Sequence, residues 1–222
     1  MNIIIIMCGI AGYIGRSQIS ENKIVRTLST LNHRGPDGEG IHKSLNPNLN
    51  ILLLHKRLAI IDTKSRSDQP FYFNKTYLAF NGEIYNYLEI KKELISLGHQ
   101  FITTSDTEVL SHALFEWKEN AIKKLEGMWS FAWHNVNDNT IILSRDFFGE
   151  KPLYYLKENT DLYFASEIKA IASLKGSWPE LNYQQLLRYN INGYKSLYKS
   201  SETFYKNVKE LKPGSFIKFQ NN

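Results

Sequence analysis

Between Met128 and Ala165 the chain carries four short apolar segments, Met128-Trp129-Ser130-Phe131-Ala132-Trp133, Thr140 to Ser144, Pro152 to Leu156 and Leu162 to Ala165. Turn residues part them at Asn137-Asp138-Asn139 and Phe148-Gly149. This density of strands and turns predicts antiparallel hairpins. Helical periodicity lies elsewhere, in separate blocks, so the pattern points to an α+β chain with two antiparallel sheets packed face to face and helices outside them. Periodicity leaves the strand order open.

The remaining elements follow the same logic. Residues 8 to 15 predict a strand ending at Gly15, and Ile24, Leu28 and Leu31 mark a short amphipathic helix. His33 to Gly40 holds three glycines and a proline and reads as a structured loop. Residues 51 to 62 read as an apolar strand interrupted by His55, Lys56 and Arg57. Residues 76 to 86 read as a hairpin turning at Asn81-Gly82. Tyr87, Ile90, Leu94 and Leu97 recur at helical spacing before a Gly98 cap. A strand is expected over Gln100 to Thr104. Ser105-Asp106-Thr107-Glu108 has the form of a capping box opening a helix, with Leu110, Ala113, Leu114 and Trp117 as its buried stripe. Ser166 is placed to cap a helix reaching about Leu174, and another helix is expected near Tyr183 to Tyr189.

Composition narrows the class. With 222 residues the chain is long enough to bury a substantial core. A single cysteine excludes an internal disulfide and suits a reducing cytoplasm. The net charge of +5 comes from dispersed lysines rather than an arginine-rich stripe, which argues against nucleic acid. No stretch has the length of a membrane span, so no membrane partner is expected. The His residues show no metal-ligand spacing, and no metal site is expected.

The single cysteine, Cys8, follows Met7 directly. A lone Cys between apolar residues is commonly a small core residue. If translation starts at Met7 and that Met is trimmed, however, Cys8 becomes the first residue and its α-amine can serve as base for its own thiol. Six ordered motifs favour the second reading. They are Cys8-Gly9-Ile10-Ala11-Gly12, His33-Arg34-Gly35-Pro36-Asp37-Gly38, Arg57-Leu58-Ala59-Ile60-Ile61-Asp62, Asn81-Gly82-Glu83-Ile84-Tyr85-Asn86, Ser105-Asp106-Thr107-Glu108 and Ser144 through Tyr155. Together they resemble the class II glutamine amidotransferase domain of glutamine-hydrolysing asparagine synthetases, from Cys8 to about Phe219. Arg-Gly-Pro-Asp in the second motif favours that branch over the purine-biosynthetic and hexosamine branches.

The resemblance implies the four-layer αββα fold of N-terminal-nucleophile hydrolases, and hydrolysis of glutamine to glutamate and ammonia through a thioester on Cys8. It implies that Asn81 and the Gly82 N–H face the oxygen of the attacked carboxamide, although the pair also fits a plain hairpin turn. Arg57 would grip the glutamine α-carboxylate, beside a wall made by Leu58, Ala59, Ile60 and Ile61; without the resemblance it reads as an exposed strand cation. Asp106, otherwise a carboxylate suited to a helix N-terminus, would hold the α-ammonium with Glu83. His33, Arg34, Asp37, Arg145, Asp146 and Glu167 read as residues that shape loops or meet a neighbouring domain.

The partners implied are glutamine and a synthetase domain or separate chain that accepts ammonia; a homodimer is compatible. No cofactor is expected in this chain, because ATP and Mg belong to a synthetase domain whose Ser-Gly-Gly-x-Asp-Ser loop does not occur in this sequence. Residues 1–7 read as an extension absent from the active form. Residues 8–222 read as the amidotransferase domain, with about 177–222 leading toward a synthetase domain. Two rival readings are a catalytically silent amidotransferase-like interaction module and a cysteine-histidine hydrolase using His33 or His55. An amidotransferase serving a different acceptor is a third.

Overall fold

The structure is a computed structural model that describes residues 7–46, 49–194 and 200–220. The Ile3 to Ile6 run lies outside the described residues. Among the described residues, eleven strands form two antiparallel sheets. The first sheet takes β1 (Gly9–Gly15), β2 (Gly38–Ser44), β3 (Asn50–Arg57), β8 (Tyr154–Glu158), β9 (Asp161–Ala165) and β10 (Val208–Glu210), in the order β10-β8-β9-β1-β3-β2. The second takes β4 (Phe71–Phe73), β5 (Thr76–Ile84), β6 (Gly127–Asn135), β7 (Thr140–Arg145) and β11 (Phe216–Phe219), in the order β11-β7-β6-β5-β4. Helices α1 (Glu21–Thr30) and α4 (Ile168–Lys175) cover the outer face of the first sheet, and α2 (Tyr87–Ser96) and α3 (Asp106–Trp117) that of the second. This is the expected αββα sandwich. Helix α5 (Tyr183–Asn192) follows α4.

Side-chain alternation builds the layers. On β3, Leu52 and Leu54 pack toward Ile24, Leu28 and Leu31, while Ile51 and Leu53 join Ile10, Ala79, Ala132 and Leu143 between the sheets. On β6, Trp129, Phe131 and Trp133 face Val109, Leu110 and Leu114 of α3. A strand buried on both faces reads as a continuous apolar run, which is why residues 51–54 show no alternation.

Several local expectations are corrected. β5 runs straight through Asn81 and Gly82, which pair with Ser130 and Trp129, so there is no hairpin turn there. Neither residue has a positive φ, and the β5–β6 ladder extends over nine residue pairs. Gly82 is required by close packing instead: a Cβ there would lie 2.1 Å from the Met128 carbonyl oxygen. β3 ends at Arg57, and Leu58 to Asp62 is loop. Gly38 to Gly40 belongs to β2 rather than to the preceding loop. Gln100 to Thr104 is not a strand, because buried Glu108 accepts the Ile102 N–H (2.9 Å), the Thr103 N–H (2.7 Å) and the Thr103 hydroxyl (2.6 Å), filling the role of a strand neighbour. Ser105 does cap α3, accepting from Thr107 N, but Glu108 is thereby unavailable for the second half of the capping box. Ser166 caps nothing; its hydroxyl accepts the Ile10 N–H across to β1.

Four histidines are locked in these layers. His55 bonds the Phe80 carbonyl across the sheets at 3.0 Å, His42 meets His134 at 3.1 Å under the Tyr77 ring, and His112 stacks on Phe73. Burial pushes each of them down to about 4. A histidine depressed in the folded state takes up its proton in the unfolded chain first, so its contribution is full above about pH 6.5 and lost as pH falls toward 4. Urea unfolding measured from pH 7 to pH 4 should therefore show stability falling across that window, and His134→Gln should flatten the fall.

Candidate active site

At one end of the sheet interface the inward-facing positions turn polar. Beyond Ile10 comes Cys8, beyond Leu53 come His55 and Arg57, and beyond Ala79 come Asn81 and Glu83. Cys8, Arg57, Asn81 and Glu83 line one cavity of about 250 Å³, with Leu58, Ile60, Ile61, Gly82 and Asp106 completing much of its wall. Ala59 is not among its lining residues; its N–H donates to Asp37 at 2.8 Å and so sets the bend of the loop.

Cys8 is held from several sides. Its Sγ accepts the Leu58 N–H at 3.3 Å and donates to the Leu58 carbonyl at 3.6 Å. Its carbonyl accepts Arg34 Nε at 2.9 Å, and Arg34 is itself tied to Glu167 at 3.1 Å. Burial pushes the thiol up, opposed by the Leu58 backbone and the Arg57 charge. Such a thiol needs a base. His33 is exposed and paired with Glu167 at 2.7 Å, and His55 is spent on Phe80, so neither stands in the cavity wall. The cysteine-histidine reading has no geometry behind it.

Arg57 is buried, and its guanidinium reaches back over the loop it precedes. It donates to Asp68 Oδ1 (2.6 Å), the Asp62 carbonyl (2.6 Å) and the Lys64 carbonyl (3.1 Å). Asp62 in turn accepts from Arg66 and from Thr104 N, and Arg66 above all holds its carboxyl well below the usual carboxylate range. The loop over Leu58 to Asp68 is thus stapled to the segment leading into α3. Gln69 adds a second staple, accepting the Phe80 N–H at 2.6 Å.

Asn81 is buried and its side-chain amide donates to Ser130 at 3.4 Å. Asp106 accepts the Ile84 N–H at 3.0 Å, while the helix cap is left to Ser105. Sequence reasoning gave no role to Met7, Ser67, Gln69, Thr107, Met128 or Lys151, all of which line the cavity. Lys151 stood inside a quoted motif, but a lysine after a turn reads as solvated unless its burial is known.

Burial pushes the Asp106 carboxyl up to about 6. A carboxyl raised in the folded state keeps its proton longer there than in the unfolded chain, so folding is penalised as pH rises through about 6, by on the order of 3 kcal/mol at most. Asp106→Asn should accordingly raise the melting temperature at pH 7, with a smaller gain over wild type at pH 5. Thermal melts of both proteins at the two pH values check this; an equal gain at both would remove the titration from the account.

The sequence matches the glutamine amidotransferase domain over residues 7–222. Two Bacillus subtilis proteins, glutamine-hydrolysing asparagine synthetases 3 and 1, are similar to it at 40% identity over 74% of this chain and 36% over 94%. The chain spans 27% and 33% of their lengths. Among solved structures, the glutamine phosphoribosylpyrophosphate amidotransferase of B. subtilis shares the fold at a TM-score of 0.61, 24% identity, 77% of this chain and 44% of that one. An allosteric regulatory enzyme of purine biosynthesis does so at 0.65, 19% identity, 96% of this chain and 47% of that one. With the model matched along almost the whole sequence, the chain belongs to the glutamine amidotransferase domain family.

Proposed function

We propose that this chain hydrolyses glutamine to glutamate and ammonia, with Cys8 as nucleophile. The observation that carries the reading is the meeting of Cys8 from one sheet with Asn81 from the other in a single cavity. Cys8 Sγ attacks the side-chain carboxamide carbon; Asn81 and the Gly82 N–H receive the developing oxyanion, a role commonly worth a factor on the order of a hundred in rate. The thiol's proton passes to the departing nitrogen, which leaves as ammonia. Water then cleaves the γ-glutamyl thioester to glutamate and the free thiol. Asp106 and Glu83 hold the α-ammonium. Arg57 meets the α-carboxylate by exchanging exposed Asp68 for it, an exchange that suits a guanidinium because both partners are carboxylates.

The base is the α-amine of Cys8, which requires an active form starting at that residue. The position of Met7 supports this, since its side chain stands in the cavity wall where substrate would lie. Residues 8–222 are then the amidotransferase unit. Ammonia passes to a synthetase domain or partner chain, and ATP and Mg belong to that acceptor. The setting is cytoplasmic.

Protein starting at Cys8 should release glutamate from glutamine without ATP, and Cys8→Ala should abolish the release. Asn81→Ala should lower kcat about a hundredfold with little change in KM, because its donor acts on transition-state charge. Arg57→Ala should chiefly raise KM. Steady-state glutamate assays decide: activity surviving Cys8→Ala sinks the nucleophile, and no activity in any form leaves a silent module.

A further inference from the structure

Lys151 is a buried cation with no ion-pair partner among the described residues. It lines the same cavity as Cys8 and is 7% exposed. Among the described residues its ammonium makes no ion pair, and the acceptor it reaches is Met7 Sδ at 3.1 Å, directly beside the backbone nitrogen of Cys8 in the chain. A thioether sulfur is a weak acceptor, so the buried ammonium is poorly satisfied.

The fold holds it there firmly. The Lys151 N–H donates to Asp146 Oδ2 at 3.0 Å and its carbonyl accepts Arg145 Nε at 2.8 Å. Asp146 also takes the N–H groups of Phe148 and Glu150, and Arg145 also donates to the carbonyls of Gly149 and Leu211. The Arg145-Asp146 pair thus shapes the whole turn that delivers Lys151. Charged groups facing the ammonium are Glu83 of β5, Arg34 beyond α1, neighbouring Glu150 and the Cys8 thiol itself, and the thiol in turn faces Arg57 of β3, Asp106 of α3 and Arg34, whose charges act on it beside that of Lys151. Burial pulls the lysine below its ordinary value, the cost a missing anion would relieve.

We propose that Lys151 is a positioning residue acting through Cys8, its ammonium stabilising the Cys8 thiolate and repelling a proton from the Cys8 α-amine. The inference rests on the reading of Cys8 as nucleophile and adds to it the source of that group's charge state. A fixed cation favours the thiolate and disfavours the α-ammonium, so both groups are drawn toward the state that attacks. It also gives the amine, ordinarily near 8, reason to be unprotonated close to neutral pH.

Because Cys8 is the single cysteine, iodoacetamide reports on it alone. Alkylation rates across pH are measured on the 222-residue chain and on the form starting at Cys8, for wild type, Lys151→Met and Lys151→Arg. Lys151→Met should move the alkylation midpoint up by about one pH unit, slowing reaction at pH 7 about tenfold, and Lys151→Arg should restore it. In the form starting at Cys8, the acid limb of kcat/KM for glutamine should move up in the same variant. A folded Lys151→Met protein with unmoved profiles overturns the proposal, as does a rise in KM alone, which would make Lys151 a substrate clamp. Should Lys151→Met fail to fold, Lys151→Gln decides by the same readings. Absence of glutaminase activity with a shifted alkylation midpoint would remove the glutaminase reading and leave Lys151 in its role.

Discussion

Period-two alternation across two facing sheets is the constraint from which the rest follows. Each strand sends every second side chain into the space between the sheets, which is closed by an apolar cluster that includes Ile10, Leu53, Ala79, Ala132 and Leu143. One step further along β1, β3 and β5 the same geometry must continue with whatever residues the sequence supplies. It supplies Cys8, Arg57, Asn81 and Glu83. The cavity is therefore the place where an apolar interface stops, and its residues inherit the rigidity of a core they do not belong to. Strand-borne groups are held more precisely than loop-borne ones, which is what the proposed chemistry would require of them.

Around this rigid centre the loops are tied by charge rather than by apolar contact. Arg57, Asp62 and Arg66 bind the Leu58 to Asp68 loop to the Thr104 segment, and Glu108 gathers the amides of Ile102 and Thr103. Each carboxylate replaces a missing strand partner, satisfying N–H groups that would otherwise be buried without one. Asp106 differs: its carboxylate accepts the Ile84 N–H, yet burial still pushes it up to about 6.

The layered fold was legible because apolar period and turn chemistry agree over most strands, as at Met128 to Trp133 and at Asn139, whose φ of 49° makes the turn before β7. Asn81-Gly82 misled for a specific reason. The dipeptide carries the local signal of a tight turn, but pairing with β6 along the full length of β5 outweighs it, and the glycine serves contact with the Met128 backbone. Gln100 to Thr104 looked like a strand because sequence cannot show that a carboxylate six residues away supplies its hydrogen bonds. The candidate site residues were legible as motifs, whereas the place of Lys151 in the cavity was not: 144 residues of sequence separate it from Met7, and only the tertiary fold closes that distance.

The residues after α5 do more than trail from the body. β10 adds to the edge of one sheet and β11 to the edge of the other, so a single short segment clasps both halves of the sandwich. Between those strands, Leu211 accepts from Arg145 and Gly214 donates to the Asp146 carbonyl at 2.7 Å. The segment that joins the two sheets is thus also bonded to the turn that carries Lys151 toward the cavity. Asp146 is the hinge pin of that joint: its carbonyl holds Gly214 on one side while its carboxylate holds the Lys151 N–H on the other.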